Sequence, residues 1–348
     1  MQKNELNLND KFLIAFSGGP DSVYLLDYIN KIKHEYNFKF GLCYINHCLR
    51  GKESEKEEEF VVNLAKKQGL KLYKTRLDLS KARGNLEESA RQERYKFFLE
   101  SCKDFGTSKI LLAHHKDDNV ETILLNLLRG TGLKGIKGIS PKITIKLKGG
   151  NLEVIRPLLC LEKKEIYDFL IKNKIDFIED ASNKSSRFKR NKVRNELLPL
   201  LEQGYQKGVK EHILSFSNIG REYYDYVIDA VNNVYSKTVI QQDNSKILNI
   251  DLFLGLPSLI QKELIRRIYE ELTGDVRGLE QSHIEEIYKF IYSASAETSS
   301  RLSNSIIVKK QYNKLILCKS ENIIYKKISE YILNINSELI IKEINIKI

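Results

Sequence analysis

The sequence contains no tryptophan, one methionine and only five prolines in 348 residues. No proline-rich linker and no low-complexity tract interrupts it, and no internal repeat is visible. Its five cysteines (43, 48, 102, 160 and 318) are scattered, odd in number and never spaced as CxxC. That pattern argues against a disulfide framework or a structural zinc site and makes a reduced cytosol the simplest address. No apolar run approaches the ~18 residues of a membrane span. The polar stretch Met1–Lys11 lacks the apolar core of a signal peptide.

What is present is ordinary for a globular protein: 42% hydrophobic and 30% charged residues. The length exceeds a comfortable single core, so two or more domains are expected. A formal net charge of +11 invites a polyanionic partner. Lysine far outnumbers arginine while isoleucine and asparagine abound, so part of that charge reflects a general compositional bias. Its placement is more informative than its total.

The first half alternates short apolar runs with helical patterns. Strands are expected at Phe12–Phe16, Phe40–Ile45, Lys71–Leu77 and Ile110–Ala113, with helices near 21–34, 54–68 and 86–104. This alternation predicts an α/β fold, a doubly wound and mainly parallel sheet with helices on both faces. A hairpin follows (Lys142–Leu147 and Leu152–Ile155), then helices over Glu162–Lys172 and about 188–202. A long helical stretch from about 206 through Ile240 reads as a bridge to a helical unit over about 251–293. Strands are expected again at Ser305–Val308 and Lys314–Cys318. The expected division is 1–204, 205–297 and 298–348.

The first strand runs straight into Ser17-Gly18-Gly19-Pro20-Asp21-Ser22, and a helix starts at once. Glycine lets a backbone approach a phosphate closely, and the helix N-terminus offers unpaired N–H groups and a favourable dipole. Ser17 and Ser22 add hydroxyls, and Asp21 is placed to position Mg²⁺ or to complement the first turn. There is no GxxxxGK[ST], so this is not a Walker A loop. The hexapeptide resembles the PP-loop signature SGGxDS of ATP pyrophosphatases, which implies ATP cleaved between its α and β phosphates.

A second block, His114-His115-Lys116-Asp117-Asp118-Asn119-Val120-Glu121-Thr122, ends a strand and opens a helix. Ligands of open α/β sheets bind at this end of the strands. Asp117 and Glu121, four apart, share a helix face and suit a cationic ligand. An acidic helix start that complements the macrodipole accounts for Asp117 and Asp118 without one. Val120, Ile123, Leu124, Leu127 and Leu128 are expected to form the helix's buried stripe. Farther on, six basic residues and no acid lie between Lys184 and Arg194. If helical, Arg187, Arg190, Asn191 and Arg194 share a face able to meet RNA phosphates or those of ATP, or simply a solvated basic face.

The block HHKDDNVETILLNLLRGTG resembles the tRNA(Ile)-lysidine synthetase form of the PP-loop family. Asn46–Gly51, Gly84–Arg91, Ile155–Leu158, Glu179–Asn183 and the basic segment keep that family's order. The resemblance implies an adenine-nucleotide α-hydrolase-like catalytic domain (1–204), a helical tRNA-binding domain and a strand-containing end shorter than in longer members. It implies ATP and Mg²⁺ as cofactors, and free L-lysine and tRNA(Ile) with a CAU anticodon as substrates. Homodimerisation is left open. Under it, Ser17–Ser22 hold pyrophosphate, with His114 a weaker nucleotide contact. Asp117 and Glu121 grip lysine or deprotonate its amine. Arg187, Arg190 and Arg194 stabilise the α-phosphate or hold the anticodon backbone. The nearest alternative is a PP-loop tRNA thiolase, for which the cysteine spacing is wrong.

Overall fold

A computed structural model describes residues 6–46, 48, 52–77, 86–179, 189–274, 279–293, 297–302, 306–319, 340–341 and 346–347. The chain forms two compact units, Met1–Tyr224 and Asp225–Ile348.

In the first unit, β1 (Lys11–Ala15), α1 (Pro20–Tyr36), β2 (Lys39–Asn46), α2 (Lys52–Lys67), β3 (Leu72–Arg76), α3 (Leu86–Phe105), β4 (Lys109–Leu111) and α4 (Lys116–Leu128) alternate as the hydrophobic pattern predicts. A short α5 (Leu133–Ile136), the hairpin β5 (Lys142–Leu147) and β6 (Gly150–Ile155), and α6 (Lys163–Lys172) follow. The sheet order is β3-β2-β1-β4-β6-β5, and every neighbouring pair is parallel except β5 with β6.

Both faces of the sheet are covered, which explains the near-continuous apolar runs of its strands. On one face Phe12, Ile14, Leu42 and Leu111 pack with Leu25, Leu26 and Ile29 of α1, Val61 of α2 and Ile166 and Leu170 of α6. On the other, Leu13, Cys43, Ile110 and Val154 pack with Phe98, Leu99 and Cys102 of α3. β1 lies between β2 and β4, so the strand order reverses there. Such a switch point leaves a crevice beyond the carboxyl ends of the strands. The loop after β1 and the start of α4 after β4 both open onto it.

After α6 the chain forms α7 (Lys189–Lys192), a π-helical turn (Val193–Leu197) and α8 (Leu198–Gly204). Pro199 has no N–H to continue a regular ladder, and the Leu198 N–H bonds Val193 O, five residues back. Val193 and Leu198 pack on Val120 of α4. The expected stripe of α4 is only partly buried. Val120 and Ile123 are inside, but Leu127 and Leu128 are 42% and 69% exposed. The last turn of α4 has outrun the core.

The 30-residue α9 (Val209–Thr238) spans the boundary between the units. The expected helix through Ile240 stops at Thr238, because Val239 and Ile240 belong to a strand. β7 (Val239–Gln242) and β8 (Ser245–Asn249) form a hairpin around Asp243, whose φ of 47° suits a tight turn. The β-branched pair favours the strand. Helices α10 (Ile250–Leu254), α11 (Ser258–Thr273) and α12 (Gln281–Tyr292) precede β9 (Glu297–Arg301), β10 (Ile306–Gln311) and β11 (Lys314–Lys319). These strands join the hairpin in an antiparallel sheet ordered β7-β8-β11-β10-β9. Leu264, Ile268, Ile284 and Ile287 of the helices share one core with Ile306, Val308, Leu315 and Leu317. Two two-residue strands, Ile340–Ile341 and Ile346–Lys347, pair with each other. Among the described residues no helix is long and apolar enough to cross a membrane.

Candidate active site

The turn from β1 into α1 is shaped by its glycines and serines. Gly18 has φ +80°, and an added Cβ would lie 3.0 Å from Ile178 Cδ1. Its carbonyl accepts a hydrogen bond from Ile178 N–H at 2.9 Å. The Ser22 hydroxyl donates to Gly19 O at 2.9 Å and accepts from Ser17 N–H at 3.3 Å, while Gly19 N–H donates to Ser17 Oγ at 3.3 Å. Pro20 opens α1, where its fixed φ suits the first turn and its missing N–H costs nothing. The loop is thus locked by its own hydroxyls.

Asp21 sits on the first turn of α1. Burial raises its pKa, opposed by the nearby charges of His115, Lys163 and Arg194, and the net shift is upward. Its Oδ1 is buried without a hydrogen-bond partner among the described residues. A buried carboxylate oxygen without a donor is costly and suits a cation or a donor arriving with a ligand.

Across the crevice, His115 caps α4. Its side-chain Nδ1 accepts from the Asp118 backbone N–H at 3.3 Å, and the His115 backbone N–H donates to Asp118 Oδ2 at 3.0 Å. This reciprocal capping fixes the helix start, and it leaves His115 Nε2 3.8 Å from Asp21 Oδ2. Burial pushes the His114 pKa down to about 4, so the imidazole is neutral near pH 7. Its Nδ1 also lacks a hydrogen-bond partner among the described residues.

Asp117 of α4 has partners of its own, whereas Asp118 and Glu121 share Arg190 and Arg194. Asp117 accepts the Lys163 N–H through Oδ2 at 2.8 Å and the Lys210 ammonium through Oδ1 at 2.8 Å. Burial raises its pKa, but these two donors outweigh it and hold the group below its ordinary value. Asp118 Oδ1 meets Arg190 Nη2 at 2.9 Å and Arg194 Nη2 at 3.5 Å. Burial opposes its ionisation, but His115, Arg190 and His114 together lower its pKa. Glu121 is fully buried. It accepts Arg190 Nε at 2.7 Å, Arg194 Nε at 2.5 Å and Arg194 Nη2 at 3.0 Å. The face shared by Asp117 and Glu121 therefore does not present two free carboxylates. Glu121 orients the two arginines, and Asp117 meets a lysine of the chain itself.

Arg190 and Arg194 meet as the basic spacing predicts, whereas Arg187 lies outside the described residues, as do Asp180–Asn183. A small cleft of about 90 Å³ remains between Asp117, Glu121, Lys163, Arg194, Glu202 and Lys210. Lys163 and Lys210 had no motif to mark them, since each becomes a site residue only through contacts with α4. Cys43 and Cys102 lie in the core of the α3 face, and burial pushes each thiol up to about 12. Such thiols are poor nucleophiles at neutral pH. Among the described residues no cluster of His, Cys, Asp and Glu has the makings of a metal site on its own.

Residues 1–201 match the PP-loop domain family. The tRNA(Ile)-lysidine synthase of Caldanaerobacter subterraneus subsp. tengcongensis is 32% identical over 91% of this chain and 67% of its own length. That of Clostridioides difficile is 30% identical over 97% of this chain and 72% of its own. The chain belongs to the tRNA(Ile)-lysidine synthase family. The family member from Dehalococcoides mccartyi is 33% identical over 81% of this chain and 61% of its own length. The chain thus spans between 61% and 72% of the length of these three relatives. In structure, the U34-tRNA thiolase NcsA of Methanococcus maripaludis superposes with a TM-score of 0.51 at 16% identity, covering 63% of this chain and 74% of that one. That likeness concerns the PP-loop fold alone.

Proposed function

We propose that this protein ligates free L-lysine to C2 of the wobble cytidine in the CAU anticodon of tRNA(Ile), converting ATP to AMP and pyrophosphate. The observation that carries the reading is the meeting, at one switch point, of the Ser17–Ser22 loop with an acidic helix start bound to paired arginines, in a chain belonging to this family.

The chemistry has a required order. The cytidine C2 oxygen is a poor leaving group, so it first attacks the α-phosphate of ATP and pyrophosphate departs. The lysine ε-ammonium then gives up a proton to solvent, the free amine attacks C2, the C–O bond to the adenylyl group breaks, and AMP leaves. The loop N–H groups and the N-terminus of α1 receive the phosphates. Arg194 and Arg190, oriented by Glu121 and Asp118, face the charge that develops on the α-phosphate. Asp117 is the carboxylate suited to an incoming ammonium. Its lowered pKa keeps it charged, which favours gripping the lysine over removing its proton. Neutral His114 is available as a donor or acceptor to the nucleotide. The unpartnered, buried Oδ1 of Asp21 fits Mg²⁺, which when bound offsets phosphate charge. The second unit, whose helices and strands share one core, is assigned to holding the tRNA body in place of separate parts divided at 297. The thiolase alternative gains nothing from Cys43 and Cys102.

The test is transfer of radiolabelled lysine to a tRNA(Ile) transcript bearing CAU. Incorporation that needs ATP and disappears when the anticodon cytidine is replaced supports the reading. No incorporation by folded, ATP-binding protein rejects it.

A further inference from the structure

A second concavity, larger than the cleft at Asp117, lies on the same side of α4. Its walls are Leu125 and Leu128 of α4 with Val193, Leu197 and Leu200 of the π turn and α8, and it encloses about 460 Å³. That size falls in the range of small-molecule sites. Leu128 and Leu200 are 69% and 57% exposed, so apolar surface faces water here. The rim carries Arg129, Lys189 and Lys192 against one acid, Glu196. None of these three cations has an ion-pair partner among the described residues, unlike Arg190 and Arg194 a residue or two away.

Position along α4 connects this groove to the site. Glu121, Leu125 and Leu128 are spaced four and three apart, so they share one helix face. At 1.5 Å per residue, Leu128 lies about 10 Å along the axis from Glu121. The opposite wall repeats the arrangement: Arg190 and Arg194 cover Glu121, while Leu197 and Leu200 of the same segment line the groove together with Leu125 and Leu128. The groove therefore prolongs the crevice at the reacting base.

We propose that this groove takes the nucleotide on the 3′ side of the modified cytidine, burying its base between the leucines and meeting its phosphates with Arg129, Lys189 and Lys192. The inference rests on the function proposed above. An apolar slot rimmed by Arg129, Lys189 and Lys192 fits a nucleotide, whose base has two apolar faces and whose backbone is anionic. A peptide helix would be matched by the leucines but would leave three cations without partners. A base held here draws the anticodon loop out of its stack and presents the cytidine to Arg190 and Arg194.

The experiment uses the full chain and tRNA(Ile) with 2-aminopurine replacing the adenine next to the anticodon cytidine. Wild-type protein is expected to change the probe's fluorescence on binding. Leu128→Asp and Leu200→Asp alter exposed side chains. They are expected to abolish that change and raise the tRNA Kd at least tenfold, with the KM for ATP unaltered. The Lys189→Ala/Lys192→Ala double variant is expected to reduce the slope of log Kd against log salt by about 1.4, the value for two single-strand phosphate contacts. Undiminished fluorescence change and Kd in all three variants would overturn the groove while leaving the proposed reaction intact. Failure of wild-type protein to bind the tRNA at all would reject the reaction and the groove together.

Discussion

Lys210 places its ammonium 2.8 Å from Oδ1 of Asp117, although 93 residues separate the two in sequence. Glu202 Oε1 is 3.8 Å from the same ammonium. A lysine side chain of the protein thus sits where the proposed reaction requires the amine of a lysine substrate. The substrate must displace it or bind beside it.

Two variants separate these roles. Asp117→Asn removes the charge, and a hydrogen bond to a charged group contributes about 1.5–3 kcal/mol. The KM for lysine is expected to rise at least tenfold while the KM for ATP stays near its wild-type value. Lys210→Met removes the competitor and is expected to lower the lysine KM. Steady-state kinetics with each substrate varied in turn reads both, and an unchanged lysine KM in both variants would remove Asp117 from the amine site.

Glu121 has no exposure and holds two guanidinium groups. Removing one partner of a buried ion pair typically costs about 3–5 kcal/mol. Arg190 and Arg194 are 40% and 22% exposed and recover some hydration, so about 2–3 kcal/mol is expected for Glu121→Gln. Urea unfolding measures it. The kcat should fall as well, because both arginines lose their orientation.

Gly18→Ala adds a Cβ 3.0 Å from Ile178 Cδ1 at a residue with φ +80°. The left-handed conformation alone costs an L-residue about 1–2 kcal/mol. The loop should shift or strain, and the KM for ATP should rise severalfold. Equilibrium binding of a non-hydrolysable ATP analogue checks this directly.

Asp21→Asn tests the metal. Its carboxylate is strained by burial, so the amide should leave the ligand-free protein at least as stable. The Mg²⁺ concentration for half-maximal activity should rise. A lower thermal midpoint together with an unaltered Mg²⁺ requirement would assign Asp21 to structure alone.

Stability should fall as the solution is acidified, in two windows. His114 is lowered from 6.5 to about 4, so between those values the unfolded chain binds a proton that the folded chain does not. Glu58, held by hydrogen bonds from Lys74, Asn46 and Arg76, is lowered from 4.5 to about 2 and extends the loss downward. Urea midpoints from pH 7 to pH 3 should flatten in the upper window for His114→Gln and in the lower one for Glu58→Gln.

Local pattern and chemistry made part of this molecule readable from sequence. The strand-loop-helix at Ser17–Ser22 is contiguous, and so is the acidic start of α4, so each carried its own signal. The basic face of Arg190 and Arg194 was also visible, being set by a four-residue spacing. Its partner was not: Glu121 lies 69 and 73 residues away, and no local rule pairs an acid with a base at that range. For the same reason the sequence offered Glu121 to a ligand. Leu127 and Leu128 depart from the expected buried stripe because helical periodicity shows which residues share a face, not whether a neighbour covers it. Val239 and Ile240 continue the apolar pattern of the preceding helix, but their branching and the polar Asp243-Asn244 turn favour the hairpin that forms.

The π turn at Val193–Leu197 joins the arginines of the reacting centre to the leucines of the groove in one continuous rod. Each residue of a helix turns the chain by about 100°. Gain or loss of one residue between Arg194 and Leu197 would swing Leu197 and Leu200 away from α4 while leaving Arg190 and Arg194 in place. The number of residues between Arg194 and Leu200 should therefore be held as tightly as the charge of the one and the apolar character of the other.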